Sequence, residues 1–213
     1  MQRVVFVLLD GLAAATARRC MSYMLSLADA GLARHTELQG ELPPLSRPIY
    51  ATLLTGLSPA QSGIAHNDDA RLCPAPTIFS RAQAAGLTTA AAAYHWMSEL
   101  CNVAPYEPGR DRITDDAALP IAHGLFYCTD AYPDDELFHD AACLRRRHEP
   151  HLLLAMRVRD TAFKRHMAQL CPGDALILSP AMGDFVLPED AQRPLVMVAG
   201  GIGAMLMQFG VSI

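Results

Sequence analysis

What this sequence has little of is charge and aromatic surface. Only 18% of its 213 residues are charged and 7% are aromatic, against 51% apolar, so a sizeable core can be buried and disorder, collagen-like repeats and coiled coil are excluded. It also lacks an excess of basic residues. The 17 Lys and Arg stand against 22 Asp and Glu, a formal charge of -5, which leaves no broad electrostatic footprint for a nucleic-acid polymer. The apolar run near the start, Val4 to Leu9, stops at Asp10, far short of the roughly 20 residues of a membrane span. With only Arg3 before it and no small-residue cleavage site after it, the run does not read as a secretion signal. A cytoplasmic address without a membrane partner is therefore expected. The six cysteines (Cys20, Cys73, Cys101, Cys128, Cys143 and Cys171) form no C-x-x-C pair. This excludes a zinc knuckle or thioredoxin-like motif and predicts reduced, mostly buried thiols.

What is present is an alternation of strands and helices in a chain of the length of one generous domain, taken as residues 1–213. Arg3 to Leu9 reads R-V-V-F-V-L-L, an apolar run without alternation, as in a strand covered on both faces. Helical spacing follows over Thr16 to Ala30, closed by Gly31, then a short strand over Thr36 to Leu38. Pro43-Pro44 fix an extended approach to Leu45-Ser46, and Pro48 suits the first turn of a helix continuing to Leu54. A helix over Thr77 to Ala85 leads to a strand over Thr88 to Tyr94. Residues 95–133, rich in Pro, Asp and Tyr, read as a long loop-rich excursion. Then come an amphipathic helix from Asp135 to His148, a strand from His151 to Met156, a helix from Asp160 to Leu170, strands at Ala175 to Leu178 and Leu195 to Ala199, and a last helix from Ala204 to Phe209. Arg145, Arg146 and Arg147 read as a solvated helix end. The alternation predicts an α/β fold, a doubly wound and mostly parallel sheet with helices on both faces.

In such sheets ligands gather beyond the carboxyl ends of the strands, where Asp10 stands. A carboxylate there suits a divalent cation, although Asp10-Gly11 alone is equally an ordinary turn. Ser46 falls at the mouth of a helix, where free N–H groups and the dipole stabilise an anion. That is a post for a nucleophile attacking phosphorus, and equally one for an N-cap serine. Val196 to Ala204 hints at a dinucleotide fingerprint, but the third glycine is absent and too little chain follows for the acidic ribose ligand.

Two segments make the reading specific. V-V-F-V-L-L-D-G, then P-P-L-S-R-P-I-Y-A-T-L-L-T-G-L-S-P-A-Q-S-G-I-A-H-N, resemble the N-terminal half of the alkaline phosphatase superfamily, in particular its type I phosphodiesterase and nucleotide pyrophosphatase branch. The match spans residues 3 to 67, and the helix over Thr77 to Ala85 with the strand after it extends the resemblance to residue 94. The resemblance implies an alkaline phosphatase-like fold and a metal-dependent hydrolase acting through a serine nucleophile on a small phosphorylated substrate such as a nucleotide. It places the nucleophile, also a metal ligand, on Ser46 and a zinc ligand on Asp10, with Arg47 and Asn67 as candidate substrate-binding residues. It implies two divalent metal ions, zinc first, about 4 Å apart, serving an in-line displacement through a phosphoenzyme.

Other expected ligands are absent from the sequence. Ala181 and Met182 stand where the family has the Asp and His of a D-H-G turn, no D-x-x-x-H loop follows the strand from His151, and no His follows His166. Ile49 replaces an Asn of the nucleophile helix, and His66, His95 and His123 match no ligand spacing and read as surface or packing residues. Either segments carrying the ligands are missing at Met156/Arg157, near Ser179 to Asp184 and near Gly203/Ala204, or the chain is a degenerate, non-catalytic relative that binds a phosphate-like ligand or acts as a scaffold. The aromatic residues Tyr94, Trp96, Tyr106, Phe126 and Tyr127 suit either stacking on a nucleoside base or core packing.

Overall fold

The computed structural model describes residues 3–158 and, beyond them, the backbone of 195–200 and 204–209. Strand β1 (Val4–Asp10) lies at the centre of an eight-stranded sheet. Its apolar run is needed because it has parallel neighbours on both sides. These are β6 (Leu152–Arg157), with Val4 opposite Leu152, and β7 (Leu195–Gly200), with Val5 opposite Leu195. Beyond β6 come β3 (Thr89–Tyr94), β5 (His123–Tyr127) and the edge strand β4 (Ile113–Asp115); beyond β7 come β8 (Ala204–Phe209) and the edge strand β2 (Ala33–Leu38). The β1, β3, β5, β6 and β7 strands are mutually parallel, while β2/β8, β7/β8 and β4/β5 pair antiparallel. The sheet is thus mixed, with a parallel centre and antiparallel margins.

Strand β3, T-A-A-A-A-Y, shows burial overriding propensity. Four alanines favour helix in isolation, yet the strand is buried throughout and hydrogen-bonded between β5 and β6. Its small side chains let α8 (Asp134–His148) lie close, with Leu137, Ala141 and Leu144 buried in the core. Acidic residues open α8 and basic residues close it, in keeping with the helix dipole.

Several expectations are corrected. The helix expected over Thr16 to Ala30 is two, α1 (Ala14–Cys20) and α2 (Ser22–Asp29), broken at Met21 with φ -98 and ψ 50. The helix expected at Ala204 to Phe209 is the strand β8: six residues nucleate a helix poorly, and here they hydrogen-bond to strands on both sides. The 95–133 excursion contains α6 (Trp96–Cys101), α7 (Pro108–Asp111), β4 and β5. These elements are too short to show periodicity, and β5 belongs to the sheet because β3 offers it a parallel partner. Strand β6 runs without interruption through Met156 and Arg157. Of the five cysteines described, all free, only Cys101 is buried and Cys128 is exposed. The segments expected at Asp160 to Leu170, Ala175 to Leu178, Ser179 to Asp184 and Gly201 to Gly203 lie outside the described residues.

Candidate functional site

Helix α3 (Ser46–Thr55) is approached through a cis Leu42–Pro43 bond and begins after an extended Leu45. Ser46 is its first helical residue, and its hydroxyl makes no capping bond. Instead Ser46 Oγ donates to Asp10 Oδ2 at 3.2 Å. The two residues singled out from the sequence, 36 positions apart, are therefore joined at the carboxyl end of the central strand, both half-buried. The ordinary N-cap reading of Ser46 is set aside, because the hydroxyl points out of the helix toward a carboxylate. The α3 terminus carries no acidic residue in its own first turn, and the Asp10 carboxylate faces the positive end of its dipole.

The T-G and G-I-x-x-N signatures have structural explanations. Gly56 at φ 76 ends α3, its N–H donating to the Thr52 carbonyl at 2.8 Å, and Gly63 at φ 67 ends α4 (Pro59–Ser62). Both are left-handed positions that favour glycine. A Ser58/Gln61 capping box opens α4. These two turns return the chain so that Asn67 Oδ1 accepts the backbone N–H of Arg47 at 3.0 Å. Asn67 thus sits beside the start of α3.

Arg47, expected as a substrate-binding residue, has its guanidinium turned inward. Its guanidinium donates to Glu99 Oε2 at 2.6 Å and to the Asp69 carbonyl at 3.1 Å, and it lies 4.7 Å from the Trp96 ring centre. Both ion-pair side chains are buried, 3% and 8% exposed, so the charge is used internally. The other Glu99 oxygen accepts the Tyr106 N–H at 3.1 Å. Asp69 in turn accepts the N–H groups of Ala65 and His66, which hold its carboxyl below the usual range. This network fixes the α3 terminus against α6 and against the loop carrying Asn67. Ile49 is half-buried on α3 and adds no polar group.

One side chain beside the Asp10–Ser46 pair was not singled out from sequence. Tyr50 is buried at 2% exposure and its hydroxyl closes no hydrogen bond, although it lies close enough to Asp10 and Ser46 to feel both. Burial, then the Asp10 charge, push its pKa well above 10.0, while the nearby Ser46 hydroxyl works the other way. The available signal was its spacing: Tyr50 is four residues after Ser46, on the same helix face. His95 follows β3, its N–H donating to the Tyr127 carbonyl at 2.8 Å. Its two ring nitrogens are buried without partners, against the Tyr94 and Tyr106 rings at 4.3 and 5.1 Å. Desolvation lowers its pKa.

Tyr94, Phe126 and Tyr127 are buried in the core, so they serve packing rather than a base-stacking face. His66 is exposed beside Asp68, as expected of a surface histidine. His123 is not a loop residue; it begins β5 and stands with Asp115 and His148, the one group of three metal-capable side chains found among the described residues. That group is at the opposite, amino-terminal edge of the parallel strands from Asp10. No helix among the described residues is long and apolar enough to cross a membrane.

The model of the family described as "Type I phosphodiesterase / nucleotide pyrophosphatase" matches residues 4–169. No curated protein matches the chain. The family match begins at β1 and covers Asp10, Ser46, Tyr50 and Asn67.

Proposed function

Because the chain belongs to the type I phosphodiesterase / nucleotide pyrophosphatase family, within the alkaline phosphatase superfamily, we propose that it hydrolyses a small phosphoric ester or anhydride with Ser46 as nucleophile. The family supports a hydrolase-like function, and the mixed, mostly parallel sheet agrees with an alkaline phosphatase-like α/β fold. The observation that carries the proposal is the Ser46 Oγ to Asp10 Oδ2 hydrogen bond of 3.2 Å at the mouth of α3.

Metal dependence is typical of the family. Asp10 and Ser46 offer a carboxylate and a hydroxyl oxygen 3.2 Å apart, close to the roughly 3.4 Å that separates two ligands of one tetrahedral ion. They are the residues that would hold a divalent ion, with zinc as the first candidate. Such an ion, when bound, acidifies the hydroxyl and neutralises phosphoryl charge.

The chain's own residues supply the remaining chemistry. Ser46 Oγ, oriented by Asp10, attacks phosphorus and releases its proton to water. The Oγ–P bond forms as the bond from phosphorus to the leaving oxygen breaks, and water then cleaves Oγ–P to restore the serine. Asn67 Oδ1 is committed to the Arg47 N–H, so its Nδ2 donors are turned toward other acceptors such as a phosphoryl oxygen. The α3 dipole acts on the same charge. Arg47 and Glu99 are positioning residues, holding that N–H and the Asn67 loop in place.

Ser46→Ala tests the proposal. Hydrolysis of an activated phosphodiester such as bis(4-nitrophenyl) phosphate, assayed with added divalent metal, should fall by more than about 1,000-fold with the circular dichroism spectrum unchanged. Equal rates for wild type and variant would overturn it.

A further inference from the structure

At the amino-terminal edge of the sheet, three ligand-type side chains from three elements meet. Asp115 and His123 are directly opposed partners of the antiparallel β4/β5 pair, so they project from the same face. Asp115 Oδ1 lies 2.6 Å from His123 Nδ1. The last residue of α8, His148, stacks its imidazole on that of His123 with ring centres 3.7 Å apart and an interplanar angle of 13°. One ligand atom from each of the three lies within 4.8 Å of the others. From strand register, His123 stands at the level of Val5 and three strands away from β1, which puts the cluster roughly 20 Å from Asp10.

An ordinary edge ion pair accounts for Asp115 and His123 but not for the second imidazole. Two imidazolium rings face to face would repel, so the stack is comfortable only when one ring is neutral. A neutral imidazole is the form that ligates metals. Beside the cluster is a cavity of about 120 Å³ lined in part by Asp115, His148, Cys143 and Arg147, with room for an ion and its remaining waters. Asp115 is 72% exposed, which leaves an entry path.

We propose that Asp115, His123 and His148 form a binding site for a borderline divalent cation, Zn²⁺ above all, separate from the Asp10–Ser46 site and clipping the β4–β5 edge to the end of α8. Two imidazoles and one carboxylate select zinc and its transition-metal neighbours over Mg²⁺ and Ca²⁺, which prefer all-oxygen shells. A tetrahedral zinc ion brings its ligand atoms to about 3.4 Å from one another. That contraction would come from side-chain torsions of the exposed Asp115 and the helix-terminal His148, which would leave its stack on His123. The proposal does not rest on Ser46 being a nucleophile.

The test is zinc binding to the chelator-treated full chain, followed by isothermal titration and native mass spectrometry, for wild type, Asp10→Asn, His123→Gln and His148→Gln. Wild type and Asp10→Asn should share one zinc site whose affinity drops at least tenfold in each histidine variant. The upward shift of Tm with ZnCl₂ at that site should shrink in the same two variants. Far-ultraviolet circular dichroism separates this from misfolding, and His148→Gln, at a helix end, is the variant expected to keep the fold. Undiminished zinc affinity in both histidine variants would overturn the proposal, as would loss of all zinc from Asp10→Asn alone.

Discussion

Tyr50→Phe separates stability from function at the site, because the hydroxyl it removes is buried and unpaired in the protein itself. Tyr50 is 2% exposed, and its oxygen closes no hydrogen bond although Asp10 and Ser46 are close by. A buried hydroxyl without a partner carries a desolvation penalty of roughly 1–3 kcal/mol. Against its removal stand the weak attraction between the hydroxyl dipole and the Asp10 carboxylate and a void of one oxygen atom. The net expectation is a gain of about 1 kcal/mol in the metal-free protein, or about 2–4 °C in Tm for a chain of this length. The phenol stays protonated across the physiological range, since burial and the Asp10 charge raise its pKa, so it is a standing donor beside Ser46. If that donor meets charge developing on the phosphoryl group, its removal should lower kcat by about 100-fold. The assay pairs thermal unfolding with hydrolysis of an activated phosphodiester. A lower Tm would show that the hydroxyl is satisfied in the native protein, and a more stable variant with full activity would show that it is idle in the reaction.

Glu99→Gln leaves the Arg47 guanidinium charged and buried without its carboxylate, and should cost about 3 kcal/mol, or roughly 6–12 °C in Tm; a change below about 2 °C would mean the pair is not holding the α3 terminus. For His95, the native pKa is depressed by burial, so below its unfolded value of 6.5 the unfolded state binds more protons and stability is lost as pH falls. Tm should therefore decline between about pH 7.5 and about pH 5.5 more steeply in wild type than in His95→Gln. His148 has a shift of the same sign but is present in both proteins and cancels in the comparison; equal slopes would place His95 in contact with water.

The sequence by itself determined the central strand and the helix that Ser46 opens, while the family resemblance singled out Asp10 and Ser46, which the structure joins by a hydrogen bond. The reason is local: an uninterrupted apolar run ending in Asp-Gly, and a serine two residues before a first-turn proline, state their geometry within a few positions. Gly56 and Gly63 were legible for the same reason, since a left-handed backbone demands glycine there. What tertiary structure alone decided depends on partners far away in the chain. Residues Ala204–Phe209 became a strand because β7 and β2 hydrogen-bond to it on either side. Arg47, adjacent to Ser46 in sequence, was turned inward by Glu99, 52 positions later, and no spacing rule encodes that contact. Asp115, His123 and His148 carry no ligand motif because a β-ladder register and a helix end bring them together. Short-range chemistry is written in neighbouring residues, whereas the burial of a charge or the meeting of three ligands is a property of the folded chain.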